Sequence, residues 1–287
     1  MRARYPHVED VVVRDGVTIG YEVYEGPDPT ILLPSSTPLA YGRQWKAQVP
    51  FLARHLRVIT VDCRGNGRSD RPEGAEAYTI DQDVADLVAV LDATGTDRVI
   101  PVGWSGGGRR ALALAAAHPD RVCGVVAIAP TVNIEAPDFE EVRAIHDGPE
   151  KINRHYIAED FEGFLEFLLG AANTDPHSTK PFEDCIGWAR ETTAEVWLDY
   201  VDGYGWPTRD HARDLCAAVR CPVLVVQGSE DVLVPHAVGA AVAEWTGGTL
   251  VTLPGGGHNP AGRDPVRVNL LIRDFVDGLA GRSRPPR

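Results

Sequence analysis

Basic charge is scarce in this chain, and with it the means to hold a polyanion. Lys and Arg number 28 against 41 Asp and Glu, a net charge of −13, so neither a nucleic-acid backbone nor an anionic membrane would be drawn to the surface. Lysine is nearly missing: only Lys46, Lys151 and Lys180 occur, and arginine carries the rest. Cysteines are few, odd in number and scattered. Cys63, Cys123, Cys185, Cys216 and Cys221 read as reduced thiols rather than a disulfide framework. Cys216 and Cys221 lie close, yet no second Cys/His pair at ligand spacing accompanies them, so no metal is expected. No apolar run approaches membrane-spanning length. Met1 to Asp10 has neither the apolar core nor the small-residue cleavage site of a secretory signal, and the expected location is cytoplasmic. Phosphate-binding loops and dinucleotide fingerprints are also missing, which implies no cofactor. A small-molecule substrate is the expected partner, and a homodimer stays open.

What is present is ordinary globular material. The chain has 287 residues, 44% hydrophobic and 24% charged, enough to bury a large core. Its organising stretch is Val99-Ile100-Pro101-Val102 followed by Gly103-Trp104-Ser105-Gly106-Gly107-Gly108 and an alanine- and leucine-rich run from Arg109. β-Branched residues predict a buried strand and the following run a helix. Between them stands G-x-S-x-G, whose glycines permit a sharp turn that leaves Ser105 exposed at the start of a helix. The unpaired N–H groups of that start favour a developing negative charge. Ser105 is therefore a candidate nucleophile, although a surface serine on a flexible turn would carry the same letters.

The rest of the chain has a strand–helix rhythm. Residues 9–14 and 17–24 alternate around Asp15-Gly16 as an edge hairpin. Apolar strands follow at 30–33, 57–62, 122–128, 222–227 and 249–253. Helices are expected over 42–55, with Pro50 as a kink or break, and over 81–93, 236–244 and 264–279. The repetition predicts an α/β fold with a mostly parallel central sheet flanked by helices. From 131 to 219 the rhythm breaks into aromatic-rich helical patterns including Phe164, Trp197, Tyr200 and Tyr204. The expected organisation is a core of 1–130 and 220–280, an inserted helical segment of 131–219, and a disordered tail of 281–287. Most of the aromatics are expected to form the insertion's own core, with a few facing a pocket.

Acyl transfer by a serine needs a base, a carboxylate that orients it and donors for the oxyanion. Ser105, Asp231 and His258 each follow a predicted strand directly, and loops after parallel strands gather at one sheet edge. Their chain order is serine, acid, histidine. Asp231 in GSEDVLVP could be a turn carboxylate and His258 in PGGGHNP a solvated loop histidine, but together they form a candidate triad. Glu135 and Asp138 stand as a minority alternative for the acid.

With GWSGG, GSEDVLVP, PGGGHNP and the DCRGNGRSD loop, nearly the whole chain resembles the α/β-hydrolase superfamily. The resemblance implies Ser105 as nucleophile, His258 as general base and then acid, Asp231 as orienting carboxylate, and the insertion as a cap. One departure concerns the oxyanion site. The family's His-Gly after the third strand is Pro34-Ser35 here, and proline has no N–H. Neither Pro34 nor Pro38 can donate, which leaves Ser35, Ser36 or Thr37; alignment selects Ser36, with Gly106 as the other backbone donor, and Ser35 and Trp104 are assigned to substrate contact. Serine at the elbow disfavours the related dehalogenases and epoxide hydrolases, which use aspartate there. The chemistry implied is hydrolysis of a carboxylic ester or thioester of a small apolar or aromatic molecule. Carbon–carbon bond hydrolysis, amide hydrolysis, acyl transfer or perhydrolysis on the same residues stays open, as does a receptor-like protein that retains the fold.

Overall fold

Asp15 and Gly16, with φ of 51° and 81°, turn the chain between β1 (Val8–Arg14) and β2 (Val17–Tyr24). Positive φ at both central residues gives a tight hairpin whose twist matches its strands, and Arg14 pairs with Val17. The structure, a computed structural model, describes residues 4–132, 139–174 and 177–282. Six further strands follow: β3 (Thr30–Pro34), β4 (Val58–Asp62), β5 (Val99–Trp104), β6 (Val125–Ile128), β7 (Val223–Gly228) and β8 (Thr249–Leu253). They form one sheet in the order β1-β2-β4-β3-β5-β6-β7-β8. Only β2 runs against its neighbours; the strands from β4 to β8 are parallel.

The two-residue period of the strands sorts their side chains into two cores. Leu32, Val125 and Val225 join Leu91 and Leu112 on one face, while Ile31, Leu33, Val126 and Val226 join Trp45 and Ile272 on the other. Burial on both faces is what the uninterrupted apolar runs of β3, β6 and β7 require. The first face is covered by the helices Ile80–Ala93 and Gly106–Ala117, and the second by Pro265–Arg282. Thr79 starts the first of these by accepting from Gln82 N. The single helix expected over 42–55 is instead a 3₁₀ turn, Gly42–Trp45, and a short helix, Val49–Leu52. Pro50 lacks the N–H needed to carry a helix through, so it serves in the first turn of a new one.

Between β6 and β7 the described chain is helical: Arg154–Glu159, Phe161–Ala172, Lys180–Ala189, Ala194–Tyr204 and Arg209–Ala218. Phe164, Leu165, Leu169, Trp197, Tyr200 and Tyr204 share a core of their own. The last helix departs from the expected boundary at 219. Its Ala212 and Cys216 are buried in the cluster that holds Leu112 and Val225, so the chain is back on the sheet's covering layer before that residue. Gly205 at φ 65° and Thr208, which accepts from His211 N, end one helix and start the next. The C-terminal helix runs through Arg282, two residues into the stretch expected to be disordered; residues 283–287 lie outside the described residues. No described helix is long and apolar enough to cross a membrane.

Candidate active site

The turn after β5 leaves no space for side chains. A Cβ on Gly103 would stand 1.9 Å from Gly107 O, a clash that no relaxation of the strand–helix corner removes. Ser105 sits at φ 55° and ψ −123°, a conformation that L-residues hold only when their surroundings enforce it. Here the enforcement is hydrogen bonding. Ser105 N donates to Ile128 O at 2.9 Å, and Ser105 O accepts from Gly108 N at 2.9 Å and Thr131 N at 3.2 Å.

Loops after β7 and β8 bring the other two residues to the same place. His258 Nε2 lies 3.0 Å from Ser105 Oγ, and His258 Nδ1 lies 2.9 Å from Asp231 Oδ2. Asp231 is fixed by three further donors: Leu233 N at 2.9 Å and Val234 N at 2.8 Å on Oδ1, and Gln227 Nε2 at 2.9 Å on Oδ2. A carboxylate accepts only, so it fixes the proton on Nδ1 and leaves the Nε2 lone pair facing the serine hydroxyl. The two loops are tied to each other by Glu230 N donating to Gly256 O at 2.9 Å. The alternative acids Glu135 and Asp138 lie outside the described residues.

Trp104 fills the space behind the histidine. Its Nε1 donates to His258 O at 2.6 Å, and its ring stands 5.7 Å from the imidazole at 47°. Thr131 was not singled out from sequence, yet its Oγ1 is 3.2 Å from Ser105 Oγ. The signal for it was topological: it follows β6, the strand hydrogen-bonded beside β5.

The expected oxyanion pair is only half free. Gly106, first in its helix, presents an N–H at a helix start. Ser36 N instead donates to Gln44 Oε1 at 3.1 Å, as does Ser36 Oγ at 2.9 Å, while Gln44 Nε2 donates to Pro34 O at 3.2 Å. Proline at 34 brings a carbonyl and no N–H, and Gln44 closes the loop through that carbonyl. Ser35 does not reach the site. Its N–H extends the β3–β4 ladder by donating to Val61 O at 3.0 Å, and its wholly buried hydroxyl accepts from Cys63 N at 2.9 Å. A residue that continues the strand turns its side chain into the protein, away from the cavity. Arg110 Nη1 holds the loop from behind, donating to Ser35 O at 3.1 Å and Ser36 O at 2.5 Å.

Above Ser105 lies a cavity of about 280 Å³, lined by Ser105, His258, Trp104, Tyr200, Cys185 and mostly apolar side chains. Among the described residues no Lys or Arg lines it. One wall is a run of rings, with centroids 5.5 Å apart for Phe164–Trp197, 5.4 Å for Trp197–Tyr200 and 4.8 Å for Tyr200–Tyr204. The last three residues share one face of their helix. Tyr204 Oη donates to Gly106 O at 2.7 Å, which joins this helix to the elbow. Burial pushes the Tyr204 phenol up to about 12 and the Cys185 thiol up to about 11, so both are uncharged at neutral pH. Among the described residues no three His, Cys, Asp or Glu side chains are grouped as a metal ion would need.

The fold is that of an α/β hydrolase. A family model described as alpha/beta hydrolase fold matches residues 29–264, and the chain belongs to this family. The 2-hydroxy-6-oxo-2,4-heptadienoate hydrolase of Pseudomonas putida is 35% identical over 230 residues, 78% of this chain and 80% of that one. Serine hydrolase BPHL of Homo sapiens is 27% identical over 274 residues, 92% of this chain and 85% of its own. Among solved structures, the enol-lactonase from Burkholderia xenovorans LB400 matches with a TM-score of 0.80 and 22% identity, covering 93% of this chain and all of that one. At that identity the likeness is one of fold.

Proposed function

We propose that the protein hydrolyses an uncharged carboxylic ester or thioester through an acyl-enzyme on Ser105. The observation that carries this reading is the relay from Asp231 through His258 to Ser105, with contacts of 2.9 Å and 3.0 Å. As Ser105 Oγ adds to the carbonyl carbon, its proton passes to His258 Nε2, and the carbonyl π pair moves onto oxygen beside Gly106 N–H. Collapse expels the alcohol or thiol with the proton from His258. Water then gives a proton to the same nitrogen, attacks the acyl carbon, and the acid leaves as Ser105 regains its hydrogen. The helices from Arg154 to Tyr204 act as a cap, and their rings favour a small apolar or aromatic acyl group.

A second reading has a specific observation behind it. The relative at 35% identity is named for a dienoate with no ester, so its hydrolysis must break a carbon–carbon bond. Such a substrate carries a carboxylate, and no Lys or Arg among the described residues lines this cavity to receive one. That difference favours the neutral ester. The test is turnover of p-nitrophenyl esters and acyl thioesters of increasing chain length beside a 2-hydroxy-6-oxo-dienoate, with wild type, Ser105→Ala and His258→Ala. Ester or thioester turnover lost in both variants supports the proposal. Faster turnover of the dienoate transfers the assignment to carbon–carbon hydrolysis, and full activity in Ser105→Ala removes the mechanism.

A further inference from the structure

The helix Ala194–Tyr204 presents two tyrosines, one turn apart, to the start of the elbow helix. Tyr204 is satisfied by its bond to Gly106 O at 2.7 Å. Tyr200 is stacked on it at 4.8 Å and reaches Gly106 as well. A Cβ built on Gly106 would lie 3.0 Å from Tyr200 Oη and 2.4 Å from Ser36 O, so the phenol and the β3 loop meet over the residue that follows the nucleophile.

Unlike its neighbour, Tyr200 Oη has no hydrogen-bond partner among the described residues, although the side chain lines the cavity and is 5% exposed. The hydroxyl is thus left with its donor open to the cavity, where a bound molecule can accept from it. The Ser36 N–H expected opposite Gly106 is meanwhile engaged by Gln44 Oε1 at 3.1 Å. The place where a carbonyl oxygen would become negative thus lacks one donor and has an idle one beside it.

We infer that Tyr200 Oη–H donates a hydrogen bond to the substrate's carbonyl oxygen as Ser105 adds to its carbon. This rests on the reading of Ser105 as nucleophile. The Oγ–C bond forms, the C=O π pair becomes the oxyanion's, the serine proton goes to His258 Nε2, and the phenol keeps its own proton throughout. Burial holds the Tyr200 phenol well above its usual range, so it is a neutral donor wherever the enzyme works. The Arg110 guanidinium, 5.7 Å from the ring, strengthens that donor by drawing charge from the phenol. Thr37 N–H, also without an acceptor among the described residues and beside the cavity, is the rival for the role.

Tyr200→Phe separates the two, because it keeps the ring stack and removes only the hydroxyl. The probes are p-nitrophenyl butyrate and an alkyl fluorophosphonate, which phosphonylates a serine with loss of fluoride through an oxyanion-like transition state. The expected result is a kcat about 10- to 100-fold lower with KM nearly unchanged, slower labelling of Ser105 by a similar factor, and a melting temperature at or above that of the wild type. Rates within about twofold of wild type would overturn the assignment and leave the role to Thr37. A raised KM with kcat intact would also overturn it, by making the contact one to bound substrate only. So would a markedly lower melting temperature, which would give the hydroxyl a structural partner. Absence of labelling at Ser105 in the wild type would overturn the nucleophile reading itself, and this assignment with it.

Discussion

Arg110 and Asp83 form an ion pair behind the elbow, Nε to Oδ2 at 2.6 Å, with side chains 1% and 4% exposed. Burial pushes the Asp83 carboxyl up, and the guanidinium opposes it. Because Arg110 also holds the Ser35 and Ser36 carbonyls, the pair fixes the β3 loop against the helix that begins at Gly106. Arg110→Met would leave a buried carboxylate unpaired and two carbonyls without their donor. A loss of about 3–5 kcal/mol is expected in urea denaturation. Arg110→Met with Asp83→Leu should recover most of that stability, since an apolar pair is tolerated there. Its kcat should stay low, because nothing then holds Ser36 O. Full recovery of both would show that the pair has no part in shaping the site.

Trp104 offers a test of loop position. Its indole bond to His258 O, 2.6 Å long, is the contact from β5 to the loop that carries the imidazole. Trp104→Phe keeps an aromatic ring and removes the donor. The expected change is a loss of about 1 kcal/mol in stability and a kcat lower by about tenfold, as a misplaced base is less effective. Turnover of p-nitrophenyl butyrate and a thermal melt would measure both. An unchanged kcat would mean that Asp231 alone positions the histidine.

Much of this arrangement was legible in the residues, for physical reasons. A β-branched run that must be buried on both faces can hardly be anything but a central strand, so β3, β6 and β7 stood out, and the turns after β5, β7 and β8 delivered Ser105, Asp231 and His258 to one edge. Contacts between loops were not legible. Pro34 announced the loss of one donor, but nothing in the letters told that Gln44 would take the Ser36 N–H. Ser35 looked equivalent to Ser36, and one further rung of the β3–β4 ladder turned it inward. Tyr200 and Tyr204 stand four apart, which predicts a shared face without telling what the face meets. Arg209–Ala218 read as part of the insertion because its polar content hides the two small residues, Ala212 and Cys216, that bury it on the sheet's covering layer.

Alkaline pH should weaken the fold through its buried thiols. Burial pushes Cys63 and Cys185 each from 9.0 up to about 11. Below pH 9 both states hold these protons and the stability is fully present. As pH climbs from about 9 toward 11 the unfolded chain releases them while the folded chain keeps them, so stability falls, and the decline levels off above the folded values. Two units correspond to at most about 2.7 kcal/mol per thiol. Urea midpoints measured between pH 8 and 10.5 should therefore decline in the wild type. Cys185→Ala should start lower at pH 8, because a buried side chain is lost, and then decline less steeply, so that the two curves converge. Parallel curves would show that the Cys185 thiol, although it lines the cavity, titrates alike in the folded and unfolded chain. Iodoacetamide gives an independent check: at pH 8 a thiol at about 11 is ionised at roughly the 10⁻³ level, so alkylation of Cys185 in the native enzyme should be slow and should speed up tenfold per pH unit.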